Sequence, residues 1–462
     1  MSLRDEAPAY AHPEQTFCPR RPGRAIGSVA RACIGAGLIL LLLSLVPGCA
    51  HRPRTSHPRI RVTCWSGFVG VDQDIFERLV AMFNAEQHRY RLENHTTVEE
   101  DTRIFRSITA GTPPDFFFLW QPAYIGALAA NGALMPLDDF LRRSGLRQED
   151  FVPGALEQAR YRGKLYALPF LMDGSGLFWN RDLFGEAGLD PNRPPRTIEE
   201  LLDYATKLTK RDSRGNLVRL GFQPPALHEM IGLFGGRLAD PATGRITAND
   251  PRNVEALAWY VKLCDAQGGG LRIDSFQQGF GEFDSANNHF FVGKVAMMFA
   301  GEWFPIYVTR YGVTMDYGVT ALPYPSRYPE RKGACFLGGN FAMIPVESKN
   351  PEGAWAFLQW MQTPRAQVTL ARLGQNCPNI RSSILAPELI HGDREQEAFG
   401  TICRIVAQGK GAYFPATPVN VAYIQELQTA AQRAMRKTVT PKEALDAVQR
   451  RLEAYMEAYQ GL

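Results

Sequence analysis

The chain has 462 residues, with 51 Lys and Arg against 47 Asp and Glu and a formal net charge of +4. Eight arginines stand in the first 60 residues against Asp5, Glu6 and Glu14, which leaves 43 basic and 44 acidic residues beyond them. A near-neutral remainder excludes a nucleic-acid binder and a polybasic membrane-surface protein.

Arg20, Arg21, Arg24 and Arg31 precede an apolar stretch from Ala32 to Val46, which runs into Cys49. That order is the order of an export signal, and the apolar run is short for a membrane span. Leu45-Val46-Pro47-Gly48-Cys49 is similar to a bacterial lipobox, which implies diacylation of Cys49, although Pro47 departs from the usual small or apolar residue. Two acyl chains hold a domain firmly at a membrane. The expected organisation therefore begins with a signal and lipobox over 1–49 and a tether over 50–59. The domain beyond the tether is expected outside the cytoplasm, in the periplasm or at the cell surface. An uncleaved N-terminal anchor is the alternative. About 410 residues remain after Cys49, too many for one core and enough for two lobes. Cys64, Cys264, Cys335, Cys377 and Cys403 are odd in number and show no metal-ligand spacing, so buried thiols are expected more than disulfides.

The domain opens with a strand at Ile60–Trp65, then a helix with Ile75, Phe76, Leu79, Val80 and Phe83 on one face. A strand at Tyr90–His95 and a helix through Ile104 and Ile108 come next. Asp115 to Trp120 is an apolar run of the kind buried in a parallel sheet. Strand, helix, strand, helix, strand is an α/β lobe. Further on, Thr197-Ile-Glu-Glu200 has capping-box spacing before a helix over 198–208, and Asn253–Leu263 is amphipathic. Asn350-Pro351 predicts a helix start with Asn as cap, and Thr440-Pro-Lys-Glu443 repeats the capping box before the last helix.

Several blocks then stand in a telling order. Leu177-Phe-Trp-Asn180-Arg-Asp-Leu-Phe184 is followed by Ala187-Gly188-Leu189 and Pro194-Pro195-Arg-Thr197. Later come Phe291-Val-Gly293-Lys294-Val-Ala-Met297 closing on Gly301-Glu-Trp303, and Gly338-Gly339-Asn340 leading to Ser348-Lys349-Asn350-Pro351. Together over residues 60–460 these blocks resemble the family 1 extracellular solute-binding proteins, the receptors of ABC sugar importers, although Trp179 stands where the family usually has Tyr. The resemblance implies an α/β, two-lobed periplasmic-binding-protein-like fold (type II) with lobes joined by hinge crossings. It places 60–168 plus 323–373 in lobe 1 and 169–322 plus 374–462 in lobe 2. It further implies a monomer that takes a sugar or oligosaccharide between the lobes without a cofactor. Delivery is to ABC permease subunits served by a separate ATPase.

A sugar presents hydroxyls at its rim and C–H patches on its faces, so its receptor needs aromatic platforms and planar polar groups in a cleft between domains. Trp303 is the first candidate platform, with a core position beneath Phe304 and Pro305 as the alternative; Glu302 is either a hydroxyl acceptor or solvated. Trp65 and Ser66 end the first strand, where open α/β sheets bind ligands. Trp120 ends the apolar run. Gly339 and Asn340 read as a turn admitting a ligand, and Asp173 as an acceptor or part of a hinge. Arg381 reads as a hydroxyl fork or a surface ion pair, and Tyr413 as a late platform. No metal site is expected.

Two rivals remain open on sequence. The same fold could take a glycerophosphodiester or a polyamine. A secreted polysaccharide-acting enzyme is the other, but GxxxxGK[ST], GxSxG and HExxH are all absent.

Overall fold

A computed structural model describes residues 58–96, 100–119, 122–240, 243–281, 285–390 and 394–460. The export signal with Cys49, most of the tether, and Trp120 lie outside these residues. No helix among those described is long and apolar enough to cross a membrane.

The architecture is mixed α/β. Its strands longer than two residues are β1 (Ile60–Ser66), β2 (Tyr90–Thr96), β3 (Phe116–Leu119), β4 (Leu168–Asn180), β5 (Leu217–Phe222), β6 (Val295–Gly301), β7 (Tyr317–Thr320) and β8 (Cys335–Met343) among the described residues. β1 runs parallel to β2 and β3, as the strand–helix–strand reading requires. β8 pairs antiparallel with β3 through Phe341–Met343 and with β4 through Leu337–Ala342. The far half of β4 pairs antiparallel with β6 and β7, and β6 runs parallel to β5. Two long strands, β4 and β8, thus carry the chain between two groups of strands. A third segment joins them where Met172 N–H donates to the Cys377 carbonyl. Gly338, Gly339 and Asn340 therefore lie inside a strand, with a register shift at Asn340/Phe341, and do not form a turn.

The helix Val71–Glu86 buries Ile75, Phe76, Leu79, Val80 and Phe83, the face expected from their spacing. Phe76 meets Phe118, Phe170 and Phe357 edge to face, joining the helix to β3, β4 and the helix Pro351–Met361. That last helix departs from the expected cap. Asn350 makes no capping bond, and its side chain donates to the Arg61 carbonyl while Asp115 accepts from its backbone N–H. At Thr440 the reciprocal box forms, with Thr440 N–H donating to Glu443 and Glu443 N–H donating to the Thr440 hydroxyl. At Thr197 only half forms, because Glu200 accepts from Arg196 N–H. All five described cysteines are unbridged and buried.

Period-2 alternation along β4 sets up the site. Asp173 and Ser175 are half-buried on one face, whereas Gly174 and Gly176 are buried on the other, against the helix Arg394–Ala407. A Cβ on Gly174 would stand 2.1 Å from Val406 Cγ2. Gly174→Ala is therefore expected to destabilise the protein by about 1–3 kcal/mol through overpacking. An unchanged urea midpoint would show that this helix is free to move away.

Candidate functional site

On the face of β4 that carries Asp173 and Ser175 there is a cavity of about 360 Å³. Its floor is β4, β6 and the start of β8, and its apolar lining comes from Met298, Phe299, Trp303 and Phe336. Phe299 is fixed by Phe222 of the neighbouring strand, ring centroids 4.9 Å apart. Trp303 begins the helix Phe304–Arg310, and its indole folds back over Gly301. A Cβ at Gly301 would lie 2.2 Å from Trp303 Nε1, so a glycine is what lets the ring lie there.

The polar lining is planar and short-armed. Gln223 follows β5, and its amide oxygen bonds with the His289 ring Nε2. Asn288 and Glu229 complete the rim, Glu229 from the first turn of the helix Leu227–Leu233. The Ser175 hydroxyl accepts from Phe336 N–H at 2.9 Å and so locks β8 onto β4. Burial pushes the Asp173 carboxyl up to about 6 and that of Glu229 up to about 7, while it holds the His289 imidazole down at about 4. At neutral pH the cavity thus holds a neutral imidazole, an acceptor carboxylate, and a carboxyl near half protonation. Such groups can both donate to and accept from hydroxyls.

Glu229 gives a pH test. Its native form holds a proton more tightly than the unfolded chain, whose carboxyl titrates near 4.5. The stability it contributes is complete below about pH 4.5 and is lost as pH rises through about 7. Glu229→Gln should remove that decline and leave the variant more stable than the parent at pH 8 by on the order of 2 kcal/mol. Parallel denaturation curves for the two proteins from pH 4.5 to 8 would contradict the placement of this carboxyl.

Beneath the cavity lies Glu302, fully buried. Its oxygens accept from Gly174 N–H at 2.9 Å and from Cys377 N–H at 3.2 Å. It is also hydrogen-bonded to Asp173, and burial next to that carboxyl raises its affinity for a proton far above the usual range. The protonated Glu302 carboxyl donates to the Asp173 carboxylate. Glu302 is therefore neither solvated nor a rim acceptor; it ties two crossing segments together and aims Asp173.

The other expected site residues divide by place. Trp65 is half-buried with the Arg103 guanidinium 4.7 Å over its ring, and Ser66 is buried with its hydroxyl donating to Asn94. Neither lines this cavity. A Cβ on Gly339, at φ +142°, would lie 2.3 Å from the Leu171 carbonyl oxygen, and Asn340 is buried in the same strand, so both serve the crossing. Arg381 is exposed and donates through Nε to the Phe151 carbonyl. Tyr413 lines a second cavity beyond Phe336. Gln223, Glu229, Asn288, His289, Met298, Phe299 and Phe336 were not expected from sequence. Met298 and Phe299 stand in the apolar run before Gly301, and Asn288, His289 and Phe336 stand just before recognised blocks, whereas Gln223 and Glu229 stand near none.

The sequence profile of the bacterial extracellular solute-binding proteins matches residues 73–368. The chain is 22% identical over 349 residues to the maltotriose-binding protein of Pyrococcus abyssi (strain GE5 / Orsay), spanning 74% of this chain and 71% of that one. It is 23% identical over 318 residues to the sn-glycerol-3-phosphate-binding periplasmic protein UgpB of Escherichia coli (strain K12), spanning 65% and 70%. Among solved structures, CpMnBP1 with mannotriose bound is similar at a TM-score of 0.72 and 30% identity, covering 85% of this chain and 99% of that one. The cyclic alpha-maltosyl-1,6-maltose binding protein from Arthrobacter globiformis gives a TM-score of 0.67 at 23% identity, covering 86% and 98%. These neighbours are two-lobed binding proteins.

Proposed function

Because the chain belongs to the bacterial extracellular solute-binding protein family, we propose that it is the receptor of an ABC importer that captures an oligosaccharide in the cavity beside Trp303. One observation carries this reading. An indole laid over Gly301 converges with Asp173, Gln223 and His289 in about 360 Å³, within the range of about 300–1,000 Å³ that encloses small ligands. Aromatic faces suit the C–H patches of a sugar, and the amphoteric rim suits its hydroxyls. CpMnBP1, 30% identical, binds mannotriose, and the 22% identical archaeal relative binds maltotriose, which supports a saccharide of two or more units. UgpB binds sn-glycerol-3-phosphate, but among the described residues no Arg or Lys lines the Trp303 cavity to meet a phosphate.

The mechanism is capture, closure and delivery. Lobe 1 comprises 60–168 and the part of 323–373 beyond the crossing strand β8, and lobe 2 comprises 169–322 and 374–462, with Tyr324 to Arg331 held on lobe 2 by Arg196, Glu199, Glu255 and Gly232. The solute rests first against lobe 2 and the crossing strands. Closure brings the end of β1, with Trp65, over it, and is favoured to the extent that the ligand contacts both lobes better when they are closed. The closed monomer docks on a permease served by a separate ATPase. Diacylated Cys49 keeps it at the membrane outside the cytoplasm.

Thermal denaturation of the protein against mannotriose, maltotriose, monosaccharides, spermidine and glycerophosphodiesters tests this. An oligosaccharide at a hundred times its dissociation constant should stabilise the protein by about 2.7 kcal/mol. A shift with spermidine or a glycerophosphodiester alone would keep the fold and overturn the solute.

A further inference from the structure

Beyond Phe336 the Trp303 cavity adjoins a second one of about 380 Å³, and the two share that ring. His228 lines the second and its neighbour Glu229 lines the first, so the two cavities lie side by side along the helix Leu227–Leu233, with the Phe336 and His228 rings, centroids 4.9 Å apart, between them. Their chemistry differs sharply. The second cavity contains Arg237, Arg252 and Arg331, with Glu330 as the one acidic residue in its described lining.

The arginines are incompletely neutralised. Glu330 stands 3.4 Å from Arg252 Nη2, an ion pair that leaves the other two guanidiniums without a carboxylate at contact among the described residues. Arg331 donates from Nη2 to the Gly232 carbonyl at 2.7 Å, while its Nε is buried with no hydrogen-bond partner among the described residues. A buried unsatisfied donor of a charged group is expensive unless something fills the place. The loop beneath is shaped to admit the guanidiniums. A Cβ on Gly235 would come within 2.6 Å of Arg252 Nη1 and 3.1 Å of Arg331 Cδ. The Tyr413 phenol faces the same space.

We propose that this second cavity is the subsite for an anionic group, so that the solute is an acidic oligosaccharide with one ring against Trp303 and a carboxylate or phosphate among Arg237, Arg252 and Arg331. The inference rests on the saccharide reading of the Trp303 cavity. Planar guanidiniums match either oxyanion in paired hydrogen bonds, and charge-assisted bonds of this kind are about twice as strong as neutral ones. A neutral sugar reaching over Phe336 into the second cavity would leave the excess charge unmet.

The test is calorimetric titration of the protein with trigalacturonate, mannotriose, maltotriose and mannose 6-phosphate at low and high salt. Trigalacturonate or mannose 6-phosphate should bind at least tenfold more tightly than the neutral trisaccharides, with the advantage shrinking as salt rises. Which of those two binds better tells a uronate from a phosphorylated sugar. Arg331→Gln should abolish the advantage while neutral binding stays within about twofold. Arg237→Gln, at an exposed position, is the second variant should Arg331→Gln fold poorly, and it should lose part of the same advantage. Neutral binding equal to acidic binding, or arginine variants that weaken both alike, would overturn the anionic subsite and leave the saccharide receptor standing. Failure of every sugar, acidic or neutral, would overturn both.

Discussion

Glu302→Ala should be among the most destabilising single changes in the protein, lowering its unfolding free energy by about 3–5 kcal/mol. The substitution leaves Gly174 N–H and Cys377 N–H without acceptors in a fully buried place and opens a void where the carboxyl stood. Each orphaned buried donor costs about 1–3 kcal/mol, and the void adds to this. Glu302→Gln should recover part of the loss, because an amide oxygen keeps one acceptor and its NH₂ donates to Asp173, as the protonated acid does. The direction with pH follows from the raised proton affinity of Glu302. Its contribution is complete at acid pH and is lost as pH rises above the ordinary carboxylate range, so Glu302→Gln should lie closer to the parent at pH 9 than at pH 5. Chemical denaturation of the three proteins decides the matter. Equal midpoints for the parent and Glu302→Ala would mean that this carboxyl does not hold the crossings together.

Trp303→Ala should weaken oligosaccharide binding by about a hundredfold, equivalent to about 2.7 kcal/mol. An aromatic contact contributes about 0.5–1.5 kcal/mol beyond burial, and covering apolar area adds about 1.5–3 kcal/mol for a large side chain. The ring is only half-buried, so the same change should cost the fold much less than Glu302→Ala does. Trp303→Phe keeps a smaller platform and should fall between. Affinity for mannotriose within threefold of the parent in Trp303→Ala would remove the indole from the site.

The first lobe was legible because its cues are local. Ile75, Phe76 and Leu79 mark a helix face, and Phe116 to Leu119 a strand apolar on both sides, without reference to anything distant. Trp303 was legible because it stands just past a glycine at the end of such a strand. Glu302, its neighbour, reads as a rim residue in one dimension, and only the meeting of Gly174 and Cys377 around it makes it internal. Gly338 to Asn340 reads as a turn by composition, yet pairing with Leu171 to Asp173 extends it as a strand. Gln223 and His289 are 66 positions apart and share no motif, so their bond is a product of tertiary structure alone. Asp173 reads equally as an acceptor or as part of a hinge, and it is the packing of Gly174 and Gly176 against the helix Arg394–Ala407 that turns Asp173 toward the cavity.

Titration of the protein with mannotriose, followed by intrinsic tryptophan fluorescence and heat together, bears most directly on the cavity at Trp303. The expected result is a single saturable site with micromolar affinity, near −8 kcal/mol, in which the fluorescence change vanishes with the binding in Trp303→Ala. Neither heat nor fluorescence change with any oligosaccharide, or binding that survives intact in Trp303→Ala, would contradict a saccharide site built on that indole.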